Sequence, residues 1–570
     1  MKALLFGLFA LLAPVSIAPV CGQANETNPA SASKAPRLIV ILAVDQLIPE
    51  QMDRLKDSFK GGLARIRNQG ARFDGAAMPY SSSETGPGHA TIATGCLPKT
   101  HGIIGNGMRS RRLGHTIYCV ADPAASTVTS FGQDEPGSYS AKNILKPCLG
   151  DYLKEANPES KVFAVSVKDR AAVSMAGHRG DGSFWWDSKR GGFISSTAFS
   201  QELPAYVNEY NKGWAEVFSG LVWKPVFSLE NLPKETEKDD REGESGFGGQ
   251  GRVFPYTFAG TVGEAPTGSA LTELAGQVGA SPMGDRVTLE LAAKIVINEG
   301  LGLDDVPDFL GVSLSAPDKV GHSFGPYSME VTDTLLRMDL ELEILFALLD
   351  ERVGKDRWVL AMTADHGVLP LPEGEHALVK GAGQQRIGKE GLTQARKDLD
   401  AALVDAFGAD SKGRGLKLHF GRGDIYLDQK DLAKRTIDPA QARFVAAASL
   451  ESADWIQKAY TLEELSSTET TSDPYLIYYR NAYSAEYSPD VAVLPKRGTL
   501  VGWKQGTTHG SAYAYDRSLP LYFMGPGFER GNHDGSPGSH DILPTLLSLV
   551  GLVPKGLDGQ VLHAVFAEKK

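Results

Sequence analysis

The stretch Leu38-Ile39-Val40-Ile41-Leu42-Ala43-Val44-Asp45 places seven apolar residues in a row before a carboxylate. A run with no polar alternation is the pattern of a strand covered on both faces, and the acid marks where the chain leaves the core. Three further runs repeat the pattern: Val162–Val167 before Lys168, Phe309–Leu314 before Asp318, and Trp358–Met362 before Asp365. Helical patterns lie between them. The longest covers Tyr327–Leu349, with Met338, Leu342 and Leu345 on one face, and a shorter one covers Asp541–Val550. Strand, polar tip, helix and strand predict an α/β fold, a doubly wound and mostly parallel sheet that binds ligands at the carboxyl ends of its strands.

Two stretches break this rhythm and read as large insertions, at about 198–280 and 371–501. The first contains KETEKDDREGESGFGGQGR at 234–252, charged and Gly-rich, which predicts an exposed loop or lid, a plain solvated loop being the simpler expectation. The second has its own strand and helix signals, including an amphipathic Leu392–Phe407, and is expected to form a subdomain beside the site. A length of 570 residues alone suggests three or four domains. The scattered strand tips favour one domain over 37–570, enlarged by the insertions.

Composition narrows the function. Hydrophobic residues at 42% and charged residues at 22% describe a globular chain. A net charge of −11 excludes nucleic-acid binding as the main role. Four cysteines are too few for a disulfide scaffold. Lys2, the apolar run Ala3–Val20 and the small residues Gly22 and Ala24 predict a signal peptide over 1–24, cleaved before Asn25, with a polar leader over 25–36. Pro14 and Pro19 argue against a membrane anchor, so no stable membrane span is expected after cleavage, and the protein is expected to be periplasmic or secreted. In an oxidising compartment Cys119 and Cys148 are a candidate pair beside a buried Cys96, three free thiols being the equal alternative.

The chemistry concentrates in a few short segments: Asp45 at the first strand tip, Ser83–His89, Asn106, Lys168 and Arg170, Asp318 and His322, Asp365 and His366, and His509. Singly they say little, because a strand-tip Asp is more often a cap or turn residue. Asp318 and His322 could be a helix-face ion pair, although Pro317 and Gly321 favour a loop that presents them. Together, three Asp, three His and a hydroxyl split into Asp/His/His and Asp/Asp/His/hydroxyl sets. These suit two zinc ions with mixed nitrogen and oxygen ligation, about 4 Å apart, acting on an in-line displacement at phosphorus.

The segments SETGPGHATIATG, HGIIGN, SVKDR, DKVGH, TADHG and TTHGS, followed by HDILPTLLSLVGL and GLDG, resemble in this order the alkaline phosphatase superfamily. The resemblance is closest to the bacterial phosphate-irrepressible alkaline phosphatases, whose nucleophile is threonine. It covers Leu38 to about Val561 outside the insertions. It implies an alkaline phosphatase-like core and two Zn²⁺ per chain. Asp318, His322 and His509 would hold one zinc, and Asp45, Asp365, His366 and the Thr85 oxygen the other. It further implies Thr85 as nucleophile, and Asn106, Lys168 and Arg170 as catalytic residues that hold the phosphoryl oxygens. The local sequence agrees for Thr85, since Gly86-Pro87-Gly88 turns into a helix whose N-terminus favours an alkoxide and a phosphate.

What the resemblance implies is hydrolysis of small-molecule phosphate monoesters by double displacement through a phosphothreonine, with secondary diesterase activity. The superfamily's phosphodiesterases lack the Lys-x-Arg pair, and two cations suit a doubly charged phosphoryl group. The alternatives are a nucleotide pyrophosphatase/phosphodiesterase or a non-catalytic exported phosphate- or metal-binding protein. Cys96-Leu97-Pro98 mimics the start of a sulfatase Cys-x-Pro-x-Arg motif, but Thr100 stands where arginine is needed. His540-Asp541 is expected to start the closing helix, and His89 lies near the site without an assigned role. Oligomeric state is not fixed by these residues.

Overall fold

The computed structural model describes residues 35–378, 386–421 and 424–567. In it the Leu38–Val44 run is a strand within an eleven-stranded sheet. Its even residues Leu38, Val40, Leu42 and Val44 enter one apolar cluster and Ile39, Ile41 and Ala43 enter another. That division is why the run needs no polar alternation. Helices Pro282–Glu299 and Met329–Leu349 cover the first face. Leu149–Ala156 and Ile542–Ser548 cover the second, so the sheet is doubly wound.

Five parallel strands form the centre, in the order Trp358–Thr363, Leu38–Val44, Asp308–Leu314, Val162–Ser166 and Gly182–Asp187. The parallel expectation holds for this centre, whereas the pairings that flank it on either side are antiparallel. Leu521–Met524 runs against Trp358–Thr363, and Gly192–Ser196 runs against Gly182–Asp187. The second reversal follows from a connection of only a few residues after Asp187, too short for the crossover that a parallel neighbour requires. Register aligns the carboxyl edge of the sheet: Ala43 sits between Ser313 and Thr363, and the Asp45 amide donates to the Leu314 carbonyl at 2.9 Å. Asp45, Asp318 and Asp365 therefore leave the sheet at one edge.

The first interruption contains helices Ala205–Phe218 and Gly268–Gly279 and a two-stranded ribbon, Val222–Trp223 with Tyr256–Thr257. Its charged segment is not a plain solvated loop. Glu237 and Glu244 are buried, and Arg241 pairs with both, so part of the segment's charge is held inside the protein by ion pairs. Backbone bonds tie the segment to the neighbourhood of Asp318 and His322, Ser245 N to Ser323 O at 2.9 Å and Gly506 N to Gly243 O at 2.5 Å. The second interruption carries a four-stranded sheet in the order Leu418–Gly421, Asp424–Leu427, Val491–Pro495 and Ile456–Thr461. Helices Lys389–Phe407 and Pro439–Glu451 pack on it around a separate core that includes Leu399, Leu403, Ile425 and Leu450.

Cys119 and Cys148 do not pair; both are buried free thiols, as is Cys96. Cys148 caps the Leu149–Ala156 helix and Cys119 packs under Gly86, each filling apolar volume rather than facing the other as a bridge. The signal-peptide reading and nearly all of the leader fall outside the described residues. Among the described residues no helix is long and apolar enough to cross a membrane.

Candidate active site

Asp45, Asp365 and His366 are fully buried, and their side chains converge. His366 Nε2 lies 3.3 Å from Asp45 Oδ1 and 3.4 Å from Asp365 Oδ2. None of these three atoms has a hydrogen-bond partner. Three orphaned buried polar atoms from two acids and an imidazole would be costly in a dry core, and this donor set fits a divalent cation such as zinc. Burial, with Asp318 and Asp365 close by, pushes the Asp45 carboxyl up to about 7. Burial also holds His366 and His509 below the ordinary imidazole range, in the neutral form that metals bind.

Asp318, His322 and His509 form a second convergent group. His322 Nε2 and His509 Nε2 approach Asp318 Oδ1 at 3.2 and 3.5 Å. In all three histidines Nδ1 meets a backbone carbonyl, Thr507 at 2.8 Å for His322, Ser83 at 2.6 Å for His509 and Gly367 at 3.0 Å for His366. A proton on Nδ1 makes those bonds and turns the Nε2 lone pair toward the carboxylates, the orientation a metal site requires.

Thr85 opens the Thr85–Thr94 helix, with Glu84 at the cap position. Gly86, Pro87 and Gly88 therefore belong to its first turn instead of preceding it. Gly88 is required by close approach: a Cβ there would stand 2.3 Å from the Asp365 carbonyl oxygen. Thr85 Oγ1 receives Lys168 Nζ at 3.2 Å and Arg170 Nη2 at 3.1 Å. Lys168 caps the Asp169–Ala176 helix and Arg170 lies in its first turn, so one helix start aims both cations at one hydroxyl. Lys168 Nζ also meets Asp45 at 2.5 Å and Asp318 at 2.6 Å, joining the two groups. Although burial disfavours its charge, Asp318 and Asp45 hold Lys168 above its ordinary range. Asn106 Oδ1 accepts from the Gly86 amide at 2.7 Å, leaving its NH₂ as a donor. Thr85, Asn106, Lys168, Arg170, Asp318, His322 and His509, together with Trp503 and Gly421, line an open cavity of about 420 Å³.

Residues 39–516 match the family described as type I phosphodiesterase / nucleotide pyrophosphatase. The chain belongs to that family. Within this family and the alkaline phosphatase superfamily, it is 33% identical over 556 residues to alkaline phosphatase PafA of Elizabethkingia meningoseptica, covering 95% of this chain and 96% of the relative. It is 31% identical over 534 residues to alkaline phosphatase PhoV of Synechococcus elongatus, covering 92% of each. The crystal structure of wild-type PafA matches with a TM-score of 0.81 at 30% identity, over 94% of this chain and all of that one. PafA has also been solved with a threonine, an asparagine, a lysine and an arginine substituted, at the spacing of Thr85, Asn106, Lys168 and Arg170.

In this member of the family, Asp318 and His322 stand on a helix, Ala316–Phe324, and not on the expected loop. Pro317 lies in the first turn, where its missing N–H costs nothing. Gly321 clears space for Gln46, since a Cβ there would lie 2.0 Å from Gln46 Oε1. Sequence reasoning missed Gln46. With φ of 69° it donates from its backbone to Asp365 Oδ1 at 3.3 Å and from its side chain to Asp318 Oδ1 at 3.1 Å, linking the two groups. Its place directly after the strand-tip acid was the available signal. His89 gains a role: its ring bridges the Thr85 carbonyl at 3.0 Å and Ser313 Oγ at 2.8 Å, beside Asp365. Trp503 stacks on His322 at 5.3 Å. His540-Asp541 forms a turn that leads into the closing helix, as expected.

Proposed function

We propose that the protein is an exported alkaline phosphatase that hydrolyses phosphate monoesters to an alcohol and inorganic phosphate. The observation that carries this reading is Thr85, a helix-first hydroxyl held by two cations between two carboxylate–imidazole groups. Asp45, Asp365, His366 and Thr85 would hold one zinc ion, and Asp318, His322 and His509 the other. When bound, the two ions supply Lewis-acid neutralisation of the charge developing on phosphorus oxygens and favour the alkoxide form of a neighbouring hydroxyl.

The residues themselves set the course of the reaction. Thr85 Oγ attacks phosphorus in line, the bond to the leaving oxygen breaks, and a phosphothreonine forms. Water then attacks that phosphorus from the vacated side, releasing inorganic phosphate and restoring Thr85. The helix N-terminus, Lys168 and Arg170 stabilise the charge on the phosphoryl oxygens through both displacements, and the Asn106 amide donates to one of them. Gln46 holds Asp365 and Asp318 in place, and His89 fixes the Thr85 backbone beside Asp365.

Lys168 and Arg170 favour the monoester, because a diester presents one negative charge less to the same pair. Weaker phosphodiesterase activity fits the same apparatus, and the family description supports keeping it as the second reading. Rates on an aryl phosphate and the corresponding aryl diester test the choice. A strong monoester preference is expected, and a diester preference would overturn it. The N-terminal 24 residues support work in the periplasm or outside the cell.

A further inference from the structure

We propose that a basic groove beside the active-site cavity is a second anion subsite, selecting phosphate monoesters whose leaving group carries another phosphate. The proposal rests on the phosphatase reading and specifies its substrate class. The groove encloses about 420 Å³ between the hairpin that follows Asn106 and the four-stranded sheet of the second insertion. Two strands lead into it from the catalytic cavity. Gly107–Arg109 begins at the cavity-lining Gly107 and ends at Arg109 in the groove, and Leu418–Gly421 runs from the groove to the cavity-lining Gly421. Two residues of strand span roughly 7 Å, so the groove begins within a small substrate's reach of the catalytic cavity.

Charge in the groove is one-sided. Arg109, Arg112, Lys417 and Lys430 line it, and none of the four forms an ion pair among the described residues. Its two acids are committed elsewhere: Asp490 is buried under Arg111 and Arg443, and Asp428 caps the helix that starts at Gln429. Arg109 lies over the Tyr426 ring at 5.9 Å, and His419 packs against the same ring at 6.1 Å, which steadies the guanidinium without neutralising it. The four cationic heads flank the groove from the hairpin and from the second insertion, and in a protein with a net charge of −11 none of them is neutralised by an ion pair among the described residues. Their field is what an anionic leaving group would meet as its scissile phosphate reaches Thr85.

The test compares kcat/KM for fructose 1,6-bisphosphate against fructose 6-phosphate, and for adenosine 3′,5′-bisphosphate against adenosine 3′-monophosphate. The metal-loaded enzyme and the Lys417→Glu, Lys430→Glu double variant are used, with Arg109→Gln as a second variant. Lys417 and Lys430 are exposed, so the double variant removes no packing. The expected result is a bisphosphate advantage of about tenfold in at least one pair, reduced at least threefold in both variants and by added salt, with the monophosphate rate within twofold of wild type. Advantage in the sugar pair, the nucleoside pair or both identifies the source and supports the subsite. Equal rates for bis- and monophosphate, or an advantage that the variants keep, would overturn it. Absence of all monoester hydrolysis would instead refute the phosphatase reading, so the two failures are distinct.

Discussion

The two carboxylate–imidazole groups share a chemistry and differ in construction. Asp45, Asp365 and His366 are wholly buried and follow neighbouring parallel strands, so sheet register alone places them. Asp318, His322 and His509 come from a helix and from a loop that returns after the second insertion. There the His322 side chain is 25% exposed under Trp503. The proposed reaction, which must hold a nucleophile in one geometry and also release a leaving group to solvent, would use both kinds of construction. The rigid half sits beside Thr85, and the open half faces the cavity mouth.

Breaking the buried half should cost most. Asp365→Ala is expected to lower monoester kcat/KM by at least about 10⁴-fold and reduce bound zinc from two ions to one or none, by metal analysis. His322→Ala should lower it less, by about 10²-fold, with partial recovery in excess zinc, because an exposed position can be filled by water. Equal losses in the two variants would erase the distinction between the halves. Chelation sharpens the same contrast: zinc release followed with a metal dye should show two phases at least about tenfold apart, the faster from the open group, and one phase would contradict it. Gly321→Ala should displace the Gln46 amide from Asp318 and cost about tenfold. Trp503→Ala, which removes only the stack on His322, is expected to change kcat/KM no more than a few-fold.

The buried half was also the more legible in sequence. An apolar run ending in Asp45, or in Asp365-His366, states both the strand and its tip, because register leaves little freedom. The residues of the open half converge in the structure, but their local structure was read wrongly. Pro317 and Gly321 look like loop formers, yet a proline in a first helical turn is compatible with a helix, and the glycine answers to Gln46, which is distant in the chain. The packing of Lys234–Arg252 was hidden for a similar reason, since the ion pairs that bury Glu237 and Glu244 against Arg241 form only in three dimensions. The free state of Cys119 and Cys148 was likewise illegible, because pairing depends on where side chains point and not on spacing.

The most direct measurement is phosphate release and zinc content of Thr85→Ala on an aryl phosphate monoester. The expected result is loss of release by at least about 10³-fold with two zinc ions still bound per chain, since Lys168, Arg170 and both carboxylate–imidazole groups remain in place. Full activity in that variant, with zinc retained, would contradict Thr85 as the nucleophile.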